Sequence, residues 1–415
     1  MTNLAMFVAL LLCPWAALAS AALPQGFGGS PEALRVNVVT FGAGTAAHER
    51  FGHTALWLED THLGADVLYS YGMTAHQEGP PLAFLMRRQT FWAARLPVAG
   101  TFASYERKGR SIRVQELRLA PDARGRLLAL LERDVRPEHR DYAYHPTDNN
   151  CATRVRDVLD EALGGALRKA AEGPAEDSWR EHLRRETSGA PGVSVLLLTW
   201  VNGVMDAPRS RWEEAFMPGP LSRWLDTLSI PQGGRGRAAL VIRRFDVHPS
   251  RLSSSMNTHP SRLFALGLVL GSGAVLLGAR RTQPAGRVLL GLYHALFGLL
   301  AGGMGTLGLG LTLLSEHAAL RGNVSLLLFN PLALGLVPLG IGVALGRRWA
   351  GRWARGWVLV LLAGAGLVAG MACLRVLGQD IREPLALALP MLLGLGVAWW
   401  MPPRRASHIL ALQRG

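Results

Sequence analysis

The chain has 415 residues, room for two or three domains, and 49% of them are apolar against 18% charged. That balance excludes an ordinary water-soluble globule and a disordered polyelectrolyte alike. The formal charge of +14 rests on arginine, with only Lys108 and Lys169 as lysines, and no nucleic-acid motif accompanies it, so no nucleic-acid partner is expected.

The first run, "NLAMFVALLLCPWAALASAA", is an apolar core followed by small residues, which is the grammar of a signal peptide over 1–21. Leu12 stands where a lipobox needs a small residue before Cys13, so the chain is not itself read as a lipoprotein. A Gly/Pro/Ser linker, "LPQGFGGSPEAL", leads into an exported domain over 31–250. There "RVNVVTFG", "RFGHTALWLED" and "ADVLYSYG" alternate in polarity and are rich in β-branched and aromatic residues, which predicts a small antiparallel sheet over 34–72. His53 shares a face with Phe51, Ala55 and Trp57, while Tyr69 and Tyr71 lie opposite Ser70. "RSIRVQELRL" (110–119) adds a strand, and "PDARGRLLALLERDV" is a helix opened by Pro121.

In "YHPTDNNCATRVRDVLDEAL" (144–163), Asp148, Asn149 and Asn150 are good N-caps, and Cys151, Val155 and Leu159 share one helical face. Cys151 therefore opens a helix that Gly164 and Gly165 end. Residues 166–250 show no clear period, and "VSVLLLTWVNGV" is too short to span a bilayer, which suits a buried or interfacial segment.

From Leu263 the composition turns apolar, with five stretches at 263–279, 288–314, 324–346, 356–376 and 384–401, each near the length of a membrane-spanning helix. They define a transmembrane domain over 263–401 and a cytoplasmic tail over 402–415. With the preceding domain outside, ten arginines (280, 281, 287, 347, 348, 352, 355, 404, 405 and 414) fall on the cytoplasmic side and three (321, 375 and 382) on the other. Signal peptide and arginine bias agree on a multi-pass protein of the cytoplasmic membrane whose N-terminal domain is extracytoplasmic.

Cys13 leaves with the signal peptide and Cys373 lies in the fourth span, so Cys151 is the exported domain's only thiol. An unpaired cysteine in an oxidising compartment marks a reactive group, although it is also often a small buried hydrophobe. At a helix N-terminus its pKa is expected to fall, and a nucleophilic thiol needs a base, for which His53 is the best candidate. Ser70, Tyr69 and Tyr71, or Asn149 and Asn150, are candidates to orient the imidazole or bind an oxyanion. The remaining exported histidines show no ligand spacing, and no nucleotide loop or haem motif occurs, so neither metal nor cofactor is expected.

The motifs "FGHTALWLED…LYSYG", "YHPTDNNCATRVRDVLDEAL" and "DAPRSRWEEAFMPGPLSRWL" resemble successive motifs of the Lnb-type lipoprotein N-acyltransferase family. "SEHAALRGNVSLLLFNPL" resembles a His/Asn-containing motif of its membrane part. The resemblance implies an α+β exported domain of permuted papain-like (NlpC/P60-like) fold, an antiparallel sheet with a nucleophile helix, followed by an α-helical transmembrane bundle of about five spans. It implies Cys151 as nucleophile and His53 as general base. Ser70 stands where relatives often carry Asn between the two tyrosines, leaving the orienting group open. The implied reaction moves a fatty acyl chain, through a Cys thioester, from a diacylated lipid or lipoprotein to a lipoprotein's N-terminal amine. The partners are then membrane lipids and lipidated protein N-termini. Glu316, His317, Asn323 and Asn330 are candidate lipid contacts at the outer membrane rim, or else caps of a turn there. Two rivals stay open: a membrane-anchored papain-like cysteine peptidase or amidase acting on cell-wall peptide, and a non-catalytic membrane scaffold.

Overall fold

The computed structural model describes residues 21–46, 49–74, 90–231, 236–250 and 259–402. The signal peptide expected over 1–21 and the tail expected over 402–415 lie outside these but for one residue each. The chain forms two compact units, one of Met1–Ser178 with Pro208–Ser254 and one of Trp179–Ala207 with Ser255–Gly415.

The first unit is built on a sheet. Strands β1 (Leu34–Phe41), β2 (His53–Asp60) and β3 (Ala65–Met73) are consecutive antiparallel neighbours, as their alternation predicts. Then come β4 (Thr90–Leu96), helix α1 (Val98–Arg107), β5 (Ile112–Leu117), helix α2 (Pro121–Asp134), β6 (Asp141–Ala143) and helix α3 (Cys151–Ala162). The chain leaves this unit through α4 (Trp179–Thr187) and α5 (Pro191–Trp200) and returns with α6 (Pro218–Thr227), β7 (Ser229–Pro231), β8 (Arg237–Ala239) and β9 (Val241–His248). The seven-stranded sheet runs β6-β4-β3-β2-β1-β5-β9, and all its pairs are antiparallel.

Both faces of the sheet are covered. Leu56, Leu58, Tyr69 and Tyr71 pack with Leu127 and Leu131 of α2 and Val155 and Leu159 of α3. Val39, Phe41, Ala55 and Leu68 pack with Val98 and Phe102 of α1 on the other face. Residues of β1 feed both cores, which is why that strand reads as a nearly continuous apolar run. Each fully buried large aliphatic side chain contributes about 1.5–3 kcal/mol.

The second unit is helical. Among the described residues, four helices are long and apolar enough to cross a membrane: α7 (Pro260–Ala279), α8 (Pro284–Leu314), α10 (Arg348–Cys373) and α11 (Arg382–Trp400). The pair Ala318–Leu327 and Pro331–Ala344, bent by 47° and ending in α9 (Leu336–Ala344), is a broken fifth span or a re-entrant loop. Without a hydrophobic drive between helices in lipid, close contact favours small residues. Gly271 of α7 and Gly394 of α11 illustrate this, since a Cβ on Gly394 would strike the backbone of Gly271.

Residues 179–207 differ from the sequence-based domain boundary, which kept them in the exported domain. Fully buried Arg180 explains much of their folding: its guanidinium donates to Asp206 Oδ1 (2.7 Å), Leu198 O (2.9 Å) and Val201 O (2.8 Å). Arg184 then pairs with Asp380 (2.9 Å) and with buried Glu383 (2.6 Å) at the start of α11. Asn323 donates to Thr199 O at 3.0 Å. These polar groups lie far apart in sequence and carry no periodic signal. The apolar run within 179–207 is α5, ten residues long and too short to span.

Candidate active site

Helix α3 starts where its sequence says it should. Asn150, in extended conformation, accepts from the backbone N–H of Ala152 (2.8 Å) and Thr153 (3.0 Å), and Thr153 Oγ1 accepts from Asn150 N at 2.7 Å. This capping box leaves Cys151 as the first helical residue. Gly164 and Gly165, at φ +65° and +82°, follow the helix in the left-handed region that glycine tolerates.

Two strands flank the thiol. Gly72 of β3, at φ +92°, sits where an added Cβ would lie 3.9 Å from Cys151 Cβ. Between Ser70 and Met73 the β3–β4 register shifts, an irregularity of the kind often found beside active sites. From β2, the backbone N–H of Thr54 points at the sulfur, and Thr54 is the residue after His53. The His53 ring is fixed on both sides: it stacks on Phe41 at 5.9 Å, and Nε2 lies 2.9 Å from Ser70 Oγ. Ser70 is itself buried and stands opposite Ala55 across β2 and β3.

The electrostatics run against the sequence expectation of a depressed thiol pKa. Burial pushes the Cys151 pKa up; the N–H groups of Thr54, Ala152 and Cys151 and the charge of Arg110 pull it down without cancelling that rise. Burial, helped by Arg110, lowers the His53 pKa to about 4. At neutral pH the resting pair is therefore thiol and neutral imidazole, not an ion pair.

The other candidates are distributed as follows. The Tyr69 hydroxyl donates to Glu132 and that of Tyr71 to Asp134 at 2.9 Å, both on α2. Asn149 donates to Ala143 O (2.8 Å) and accepts from Arg154 (2.7 Å). Asn150 Nδ2 donates to Pro146 O (2.6 Å) and Phe216 O (2.9 Å), so both ends of that side chain are committed to protein groups. In the second unit, Glu316 is exposed and His317 is buried. Asn323 caps a short 3-10 turn through Ser325 N at 2.7 Å, and Asn330 Oδ1 is buried with no partner among the described residues.

Sequence reasoning missed the groups surrounding the thiol. Tyr105, Tyr142 and Tyr144 have pKa values raised by burial and further by charge at Cys151, Tyr105 to about 12. They remain neutral hydroxyls. Arg110 is buried at 4% exposure, donates through Nε to Gly42 O (2.8 Å), and lies 3.4 Å from Glu49 through Nη1. At the head of a polar-looking strand it carries no sequence sign of burial.

The chain matches the family described as the Lnb N-terminal periplasmic domain over residues 30–185 and the Lnb transmembrane domain over residues 252–399, together more than half its length. The chain belongs to the Lnb family. Comparison with curated proteins and with solved structures finds no match. Lnb membership gives the chain a general acyltransferase role in lipoprotein processing, among membrane lipids and lipoproteins. The periplasmic Lnb domain and the long apolar helices make it a multi-pass inner-membrane protein with an extracytoplasmic N-terminal domain. The antiparallel sheet with its helices and the bundle of four to five membrane-length helices match the expected fold.

Proposed function

We propose that this Lnb protein transfers a fatty acyl chain from a diacylated lipid or lipoprotein to the N-terminal amine of a lipoprotein, through a thioester on Cys151. The observation that supports the proposal is the meeting of the Cys151 helix start with Gly72 and with Thr54, the residue that follows a histidine tethered by Ser70.

With Nε2 engaged by Ser70, His53 Nδ1 is the nitrogen that takes the thiol proton. Sulfur attacks the ester carbonyl carbon, and the oxyanion accepts from backbone N–H groups at the start of α3. Asn150 Oδ1 already occupies the N–H groups of Ala152 and Thr153, which leaves that of Cys151 as the helical donor. Collapse breaks the carbon–oxygen bond, and the imidazolium returns its proton to the departing glyceryl oxygen. The lipoprotein α-amine then attacks the thioester, the carbon–sulfur bond breaks, and the amine's proton passes by way of His53 to sulfur. Glu316, His317, Asn323 and Asn330 are proposed to border the lipid.

The test uses the full chain with a diacylated lipopeptide labelled in one acyl chain, quenched in acid. The expected result is a hydroxylamine-labile label on Cys151 that passes to the lipopeptide amine. N-acylation with no adduct at Cys151, or with full activity in Cys151→Ala, would overturn the mechanism. Hydrolysis of cell-wall peptide without lipid would instead favour the peptidase alternative.

A further inference from the structure

The helical unit separates its charges end from end. From Leu263 to the last residue the sequence holds three carboxylates, Glu316, Asp380 and Glu383. Glu316 follows the end of α8, and the other two flank the start of α11. The opposite end carries arginine alone: Arg280 and Arg281 after α7, Arg287 in the first turn of α8, and Arg347, Arg348 and Arg352 at the start of α10. A Cβ added to Gly346 would lie 3.3 Å from Arg287 Cζ, which fixes the α9–α10 link at that same end. Arg347, Arg348 and Arg352 are exposed and make no ion pair among the described residues. Cations at the start of a helix also oppose its dipole, so this end needs an anion that the chain does not supply.

Beside these charges runs an apolar groove. Trp349, Trp353 and Trp357 form one stripe of α10 and, with Gly335, Pro338 and Leu339, bound a space of about 330 Å³. Trp357 donates its indole N–H to Leu332 O and packs so closely on Gly335 that a Cβ there would strike the ring. Trp349 and Trp353 are 50% and 63% exposed. Each follows an arginine directly, Arg348 and Arg352, so cation and indole stand side by side on the same turns.

We propose that this groove is a specific site for one anionic phospholipid of the cytoplasmic leaflet. Its phosphate lies against Arg347, Arg348 and Arg352, whose planar forks match phosphate oxygens, and one acyl chain lies along the three indoles. Basic pockets between membrane helices on the cytoplasmic side suit such headgroups. A zwitterionic lipid brings its own cation and leaves the arginines uncompensated, and a soluble anion leaves the groove unfilled. The site is separate from the chemistry proposed for Cys151 and does not depend on it.

The test is native mass spectrometry of the full chain in detergent with equimolar phosphatidylglycerol and phosphatidylcholine. Wild type should retain one phosphatidylglycerol in preference to phosphatidylcholine. The triple variant Arg347→Gln, Arg348→Gln, Arg352→Gln should lose that retention by about tenfold or more. The triple variant Arg404→Gln, Arg405→Gln, Arg414→Gln removes the same charge from the C-terminal segment and should stay close to wild type. Trp353→Ala, at an exposed position, should also weaken retention, while Trp400→Ala, half exposed at the end of α11, should not. No preference for phosphatidylglycerol in wild type would overturn the site. Equal loss in the two arginine triples would replace it with diffuse attraction to a basic surface, and full retention in Trp353→Ala would remove the groove from it.

Discussion

Ser70 Oγ on β3 lies 2.9 Å from His53 Nε2 on β2, so a serine holds the imidazole at the end of the sheet nearest Cys151. A single hydrogen bond of this kind contributes on the order of 1 kcal/mol. Ser70→Ala should therefore lower the single-turnover acylation rate by about fivefold to tenfold, with little change in lipid affinity. Ser70→Asn, whose amide can serve the same nitrogen, should recover most of that loss. An alanine variant at full rate would show that the ring is oriented by something else.

On the proposed mechanism the imidazole also sets the acid limit. Its pKa lies at about 4 in the folded protein, below the ordinary 6.5, so the acid limb of kcat/KM should fall near pH 4. The stability consequence has the same origin. Between pH 6.5 and 4 the unfolded chain binds a proton that the folded chain refuses, so stability drops as pH falls through that window, by at most about 1.4 kcal/mol per pH unit. His53→Gln should flatten the drop in urea titrations at a series of pH values.

Asn150 separates cap from catalyst. If it acts as the α3 cap alone, Asn150→Ala costs about 1–2 kcal/mol from the cap. The loss grows further because Pro146 O and Phe216 O lose their donor. Asn150→Asp keeps the acceptor for Ala152 and Thr153 and should retain most of the turnover at permissive temperature. Turnover abolished in a stably folded Asn150→Asp would make the amide an oxyanion donor instead.

In the second unit, Arg184 faces Glu383, which is fully buried at the start of α11. Arg184→Met leaves that carboxylate without its closest cation and should cost about 3–5 kcal/mol. The double variant Arg184→Met, Glu383→Met should recover a large part of it. Thermal unfolding in detergent checks both.

Much of this was legible in the sequence because it is local. Alternation fixed β1 to β3, and the Asn150 cap with its glycine stop fixed α3 and put Cys151 at its first position. The membrane helices followed from length and arginine bias. Choosing Ser70 over Tyr69, Tyr71 and the two asparagines required the Ala55–Ser70 register, which is non-local. Strands β4 and β9 stayed hidden because they lie at or near the sheet's margins, where one face is solvated and the pattern weak. The thiol's pKa was misjudged because helix position is visible in sequence and burial is not. Arg110 was missed for the same reason.

The excursion of residues 179–207 has a practical consequence for dissecting the molecule. The chain departs and returns through one doorway: Pro174 bridges Ser210, and Ala175 N donates to Arg209 O at 2.9 Å. Cutting after residue 250 would strand α4 and α5, with their apolar surface and buried Arg180, on a fragment that lacks the helices they fold with. Because the two ends of the detour are already laced together, splicing residue 178 to residue 208 through a few glycines should release a soluble, monodisperse sheet domain, whereas the simple truncation should aggregate.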